Sequence, residues 1–282
     1  MSELRIATWN VNSLKVRLPH LLQWLESCEK NHHAMDVIGL QELKLTDDKF
    51  PIKELEDAGY LSLFMGQKTY NGVAIIVRKD SLTHLNQDLE TAFLQVQKNI
   101  PGFEDDQQRL LATTLHFKKT APLRIICGYF PNGQAPGTEK FDYKLRWLGA
   151  LHQFVQAELS THPRIVLLGD YNIAPHDEDV HDPAAWVGQN LVSEPERKFF
   201  ESFLELGLID SFRMFPQAPK TFSWWDYRMM AFRRNAGVRI DHLLISSALK
   251  EECVSCTVDR EPRKWEQPSD HAPVVMTLKY SN

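Results

Sequence analysis

Two stretches of this 282-residue chain repeat one pattern, and that repeat constrains the fold more than any other feature of the sequence. Leu4-Arg5-Ile6 leads through a helical segment to Val37-Ile38-Gly39-Leu40-Gln41-Glu42, and Leu123-Arg124-Ile125 leads through another to Val166-Leu167-Leu168-Gly169-Asp170. Each unit reads strand, helix, strand, and each second strand closes with Gly and then a carboxylate. A strand–helix–strand unit buries its apolar faces by forming an α/β layer. Two such layers in one chain predict two β-sheets packed face to face, with helices on the outside.

Short β-branched runs predict strands at 4–9, 37–40, 72–77, 110–115, 124–129, 165–168, 238–245 and 272–278. Leu18, Leu21, Leu22, Leu25 and Cys28 recur at helical spacing, with Pro19 near the expected start. Phe141, Leu145, Leu148, Leu151, Val155 and Leu159 form a second stripe. Ser193 and Glu196 spell a capping box, with Pro195 in the first turn and Gly207 past the end of a third helix. The polar tract 82–106 reads as loop with some helix. No Pro/Gly/Ser-rich linker divides the halves, so 1–282 is read as one domain.

No apolar run approaches the roughly 18 residues of a spanning helix. The first residues lack a basic segment followed by an apolar one, so neither a membrane span nor a secretory leader is expected, and the cytoplasm is the expected location. Net charge is −5, from 32 basic and 37 acidic residues. Bulk charge therefore cannot hold this chain on nucleic acid, although local basic strips can. The four cysteines are too few and scattered for a disulfide framework. Cys253 and Cys256 form C-x-x-C without a second ligand pair, and read as free thiols.

Polar residues follow the apolar strands: Asn10 and Asn12, Gln41 and Glu42, Tyr129 and Asn132, Asp170 and Asn172, with Asp270-His271 opening the last strand. Singly, each is an ordinary turn former. Asp241 differs, because it interrupts an apolar run, and a buried carboxylate needs a partner such as histidine. Together, four acids with asparagines, a tyrosine and a histidine suit a hard cation and phosphate chemistry, since Mg²⁺ takes oxygen ligands.

These residues sit in stretches that resemble the exonuclease III family: Thr8-Trp9-Asn10-Val11-Asn12, Gly39-Leu40-Gln41-Glu42, Gly169-Asp170-Tyr171-Asn172-Ile173-Ala174-Pro175, Ser223-Trp224-Trp225-Asp226-Tyr227-Arg228, Arg239-Ile240-Asp241-His242 and Pro268-Ser269-Asp270-His271-Ala272-Pro273. They follow that family's order across nearly the whole chain. The resemblance implies a four-layered α/β sandwich of two packed mixed sheets flanked by helices. It implies Mg²⁺ dependence, with Mn²⁺ able to substitute, and hydrolysis of phosphodiesters in duplex DNA.

The resemblance also implies roles. Glu42 binds the metal with Asn10 beside it, and Asp270 lies at the metal or its water shell. Asp170 orients or deprotonates the attacking water, with Asn172 as companion in catalysis and metal binding. His271 stands at the scissile phosphate, oriented by Asp241, and Tyr129 contacts the phosphate. Asn12, Lys68, Asn71, Asn132, Trp224, Arg228 and Ile240 are the expected substrate contacts. The expected partner is duplex DNA with 3′ ends, gaps or abasic sites, and the expected state is a monomer.

Residues 224–239 carry four arginines, one acid and four aromatic rings, a basic strip suited to DNA. Val238 and Ile240 are expected to line a sugar pocket there. Two features depart from the family: the tract 175–191 is acidic and carries His176 and His181, and Ala135 stands where some abasic-site enzymes place a larger side chain. The rival readings are another phosphodiesterase or phosphatase of the endonuclease/exonuclease/phosphatase superfamily, and a catalytically inactive DNA-binding protein.

Overall fold

The computed structural model describes residues 2–83, 92–118 and 120–280. Among these residues the strands are β1 (Ser2–Asn10), β2 (Val37–Gln41), β3 (Tyr60–Met65), β4 (Val73–Arg78), β5 (Leu94–Lys98), β6 (Leu110–Leu115), β7 (Leu123–Tyr129), β8 (Ile165–Asp170), β9 (Leu208–Asp210), β10 (Asp241–Ser246), β11 (Cys253–Val258) and β12 (Val274–Tyr280). They form two six-stranded sheets, ordered β11-β12-β1-β2-β4-β3 and β5-β6-β7-β8-β10-β9. In each sheet the central pair is parallel, β1 with β2 and β7 with β8, and every other neighbouring pair is antiparallel. The repeat seen in the sequence is thus a repeat of whole-sheet topology.

The parallel pairs are joined by α1 (Leu14–Lys30) and by a long helix, Glu139–Thr161. Period-two alternation assigns the faces. Leu4 and Ile6 of β1, Val166 and Leu168 of β8, and Leu243 and Ile245 of β10 fill the core between the sheets. Ala7, Trp9, Ile38 and Leu40 face outward under α1. Ile126, Ile165, Leu167 and Leu244 face outward under the long helix and the helix Glu194–Glu205. That last helix carries the expected capping box, and Gly207 follows with φ 98°.

The two glycines of the repeat have steric reasons. A Cβ on Gly39 would lie 2.1 Å from Leu168 Cδ1 of the facing sheet, and one on Gly169 would lie 1.9 Å from the Gly128 carbonyl oxygen. Only glycine permits these approaches.

Some expectations need correction. Helix α1 starts at Leu14, so Pro19 lies in its second turn; it is exposed there, and the missing amide leaves no buried group unpaired. Within the tract 82–106, β5 is a strand. It is a mostly exposed edge with a bulge between Leu94 and Gln97, so the short Leu94/Val96 alternation does not mark a buried face and Val96 is exposed. Residues 84–91 of that tract lie outside the described residues. The run 238–245 becomes β10 only from Asp241, because Val238 bridges to Val180 and Trp224 instead. Cys253 and Cys256 are free thiols in the inter-sheet core, and burial pushes the Cys253 thiol up to about 11.

Candidate active site

The alternation that fills the core also builds the site. Along β1 the inward positions run Leu4, Ile6, Thr8, Asn10. Along β2 they run Val37, Gly39, Gln41, along β7 Ile125, Cys127, Tyr129, and along β8 Val166, Leu168, Asp170. The apolar series turns polar at the C-terminal end of each parallel strand, so both sheets present polar groups to one end of the same gap. Asp241, the first residue of β10, pairs in register with Asp170 and joins them. Asn10 closes the gap: its Nδ2 donates to Glu42 Oε1 at 2.7 Å and, across the sheets, to Asp170 Oδ2 at 2.9 Å.

His271 Nδ1 lies 2.8 Å from Asp241 Oδ2, and Nε2 points to Asp170 Oδ2 at 3.7 Å. Asp241 is itself held by Ser223, whose Oγ donates to Oδ2 at 2.6 Å and accepts the Asp241 amide at 3.0 Å. Burial alone would push the His271 imidazole down, but the Asp241 and Asp170 carboxylates outweigh it and hold the ring up at about 10. Burial raises the Asp170 carboxyl to about 7, with the His271 charge opposing and the Asp241 charge adding. A protonated donor thus faces a carboxyl that titrates near neutrality.

Both halves use one turn to set these groups. The Asn12 amide donates to Asn10 Oδ1 and the Asn172 amide to Asp170 Oδ1, each at 2.9 Å, with left-handed backbone at Asn12 (φ 44°) and Asn172 (φ 49°). Asparagine tolerates this conformation. Glu42 adopts it too, at φ 53°, an unfavourable backbone that the surrounding turn enforces.

Glu42, Asp170 and His271 offer ligand atoms within 4.8 Å of one another, the one such group among the described residues. Asp270 stands outside it, its oxygens held by Asn12 Nδ2 and Trp224 Nε1, each at 2.9 Å. Asn10 and Asn172 turn amide nitrogens, not oxygens, toward the carboxylates. Asn10 Oδ1 is taken by the Asn12 amide. Asn172 Nδ2 is oriented by the Phe130 carbonyl at 3.0 Å, while Oδ1 accepts from Asn132 at 3.1 Å. Geometry therefore makes these two asparagines supports of the carboxylates. Lys44, not anticipated from the sequence, pairs with Glu42 at 2.8 Å and donates to Asn12 Oδ1 at 2.5 Å.

Tyr129 lies half-buried at this end, its phenol kept protonated by burial and by the Glu42 and Asp170 charges. The Arg109 guanidinium sits 4.8 Å from its ring centroid. Lys68 and Arg228 are exposed, Arg228 resting on Asp226, and Asn71 is buried against Gln67 and Gln107. Ile240 and Val238 are buried with Val180, Leu191 and Trp224, so they support the site's wall rather than open a pocket in it. Trp225 is core, stacked beneath Arg260.

Two expectations about charge are corrected. Arg239 does not belong to an exposed strip: it is 1% exposed and pairs with Asp179 at 2.6 Å and Asp210 at 2.9 Å. The tract 175–191 is not simply a solvated acidic loop, since Asp179 is fully buried between Arg239 and Arg213, and Asp177 pairs with Arg197. Those partners lie 20 to 60 residues away, beyond any local pattern. Arg228, Arg233 and Arg234 remain exposed beside Tyr227, Met229 and Met230.

Two sheets that bring carboxylates, amides and an Asp–His pair to one end of their shared gap define a hydrolase of phosphate esters. A model of the Endonuclease/Exonuclease/phosphatase family matches residues 7–271, and the chain belongs to that family. Within it the chain groups with the exonuclease III-type nucleases. It is 34% identical to exodeoxyribonuclease III of Haemophilus influenzae, over 98% of this chain and all of that one. Among solved structures it superposes on a 3′ phosphatase, NExo from Neisseria, bound to a product DNA hairpin, at TM-score 0.88 and 40% identity, covering 98% of this chain and 100% of that one. It also superposes on an AP endonuclease from Archaeoglobus fulgidus at TM-score 0.86 and 32% identity, with the same coverage. Among the described residues no helix is long and apolar enough to cross a membrane.

Proposed function

We propose that this chain, as one domain over residues 1–282, is a Mg²⁺-dependent DNA-repair nuclease that hydrolyses phosphodiesters at 3′ ends of duplex DNA. It removes 3′-blocking groups and incises more slowly 5′ to abasic sites. The observation that carries this reading is the convergence of Glu42, Asp170 and the His271–Asp241 pair, bridged by Asn10, between the two sheets. The shared inter-sheet core supports reading one domain.

The donor set fits a hard divalent cation: the carboxylates of Glu42 and Asp170 meet at a half-open edge beside His271, and Asn12 links Asp270 to this group. Glu42 is the main ligand, and a bound cation supplies charge to the phosphoryl oxygens. Asp170 orients and deprotonates the attacking water, held in place by Asn172 and Asn10. His271 donates to a phosphoryl oxygen from Nε2, and Tyr129 donates its phenol proton to another. Asn12, Lys68, Asn71, Asn132, Trp224 and Arg228 are the residues assigned to contact with the strand. A gapped duplex, an abasic duplex and a 3′-phosphate duplex, each with and without Mg²⁺, test the reading. No Mg²⁺-dependent release from any of them refutes it.

Glu42→Gln keeps the shape but removes the charge that holds the cation, and frees Lys44 to occupy the cleft edge. The Mg²⁺ concentration for half-maximal activity is expected to rise roughly 10- to 100-fold, with partial recovery in Mn²⁺. Wild-type metal dependence in the variant removes Glu42 from the metal site.

The preference for ends has a local basis. An internal abasic site requires the duplex to bend and a sugar to leave the stack, a few kcal/mol that loop contacts must offset. Here Ala135 offers no side chain to insert. His181 is wedged against the Gly237 carbonyl at 3.2 Å and Trp186, beside the buried Val238–Trp224 bridge. His181→Gly is expected to raise the ratio of abasic-site incision to 3′-end processing, compared on matched duplexes at one salt concentration. An unchanged ratio rules His181 out as the cause, and a wild-type protein that incises faster than it processes ends overturns the preference.

A further inference from the structure

Lys144 is fully buried on the long helix, behind the site and not among the groups lining it. Its Nζ pairs with the equally buried Glu196 and donates to two main-chain carbonyls, Asn172 O at 2.7 Å and Asn132 O at 3.2 Å. A buried ammonium is tolerated only with a counter-charge and saturated hydrogen bonds, and these three partners provide both. The two carbonyls belong to residues whose side chains already bond each other at the site. Asn172 in turn holds Asp170 through its amide at 2.9 Å and its Nδ2 at 3.3 Å, from a turn with left-handed backbone at φ 49°. A second feature points the same way. Gly133, at φ 88°, packs directly on the lysine stem: a Cβ there would lie 2.9 Å from Lys144 Cδ. One side chain thus underpins both the 132–133 turn and the 170–172 turn.

We infer that Lys144 is a positioning residue for phosphodiester hydrolysis: its ammonium clamps the carbonyls of Asn132 and Asn172 and thereby fixes Asp170 against the attacking water. The inference rests on the role proposed above for Asp170. Glu196 serves a different end, since its other contacts are the Leu191 amide and the Ser193 cap, none of them in the site.

Three variants separate positioning from stability: Lys144→Met, Glu196→Gln, and both together. Lys144→Met is expected to lower kcat for a 3′-phosphate duplex by about 10²-fold, the scale of a displaced catalytic group, with KM changed by less than about threefold. Glu196→Gln still accepts from Lys144 and is expected to lower Tm while kcat stays within about threefold of wild type. The double variant removes both charges of this buried pair, so it is expected to fold even where Lys144→Met does not. Its Tm is expected to recover and its kcat to remain low. Recovery of kcat together with Tm in the double variant overturns the inference, as does an equal kcat loss in Lys144→Met and Glu196→Gln. Asp170→Asn, run alongside, keeps the two readings apart. If it retains turnover, the site assignment fails. If it is inactive and Lys144→Met turns over like wild type, only the positioning role fails.

Discussion

Asp170→Asn is expected to lower kcat by about 10⁴-fold while leaving the Kd for a recessed 3′ duplex within about threefold. The substitution preserves the hydrogen bond from the Asn172 amide and the shape of the inward-facing end of β8. It removes the one carboxylate that faces His271 Nε2 across the gap. An interaction made with the attacking water is realised in the transition state, so affinity for the ground-state duplex hardly reports it. An Asp170→Asn protein with even a tenth of wild-type turnover refutes the assignment.

The same substitution has a stability signature of definite sign. Burial raises the Asp170 carboxyl from the ordinary carboxylate range to about 7. Its favourable contribution is therefore complete below about pH 4, where folded and unfolded chains both hold the proton. It is lost as pH rises through about 7, because the unfolded chain has released its proton and the folded one must follow against desolvation. In EDTA, Asp170→Asn should therefore melt higher than wild type at pH 8 and nearly equal to it at pH 4.5. The acid limb of kcat/KM should sit above the ordinary carboxylate range and move down as Mg²⁺ is raised, since a cation favours the carboxylate.

Asp241→Asn is expected to lower kcat by about 10²- to 10³-fold, with His271→Ala at least as severe and the double variant no worse than the more severe single. The geometry gives the reason. Ser223 and the register pairing with β8 fix Asp241, and Asp241 fixes the imidazole tautomer that presents Nε2–H to the phosphate. The Asp241 charge also keeps His271 protonated against burial. Its loss should move the alkaline limb of the pH profile to lower pH. If the two single losses multiply, the pair does not act as a unit.

Much of the site is visible in the sequence once the strands are read with their period. Asn10, Gln41, Tyr129 and Asp170 each continue an inward apolar series, and the Gly-then-carboxylate endings mark the repeat that brings the sheets together. Asp241 was legible as a charged residue inside an apolar run. Lys44 had a weak local signal, two residues past Glu42, while Ser223, Arg109 and Lys144 had none, because their partners Asp241, Tyr129 and Asn172 lie 18, 20 and 28 residues away, two of them met at main-chain carbonyls.

What the sequence by itself determined was local: strand and helix periodicity, the capping box at Ser193, the glycines that admit close packing, and the chemical types gathered at strand ends. Only the tertiary structure decided how those groups are oriented. It turned the amide nitrogens of Asn10 and Asn172 toward the carboxylates, buried Arg239 and Asp179 as ion pairs, and placed Asp270 behind Asn12 and Trp224. The physical reason is that hydrogen-bond direction and desolvation depend on every neighbour within a few ångströms, and those neighbours come from both sheets. Alternation along one strand states which face a residue takes, but the facing sheet decides whether its charge is neutralised, solvated or left to work.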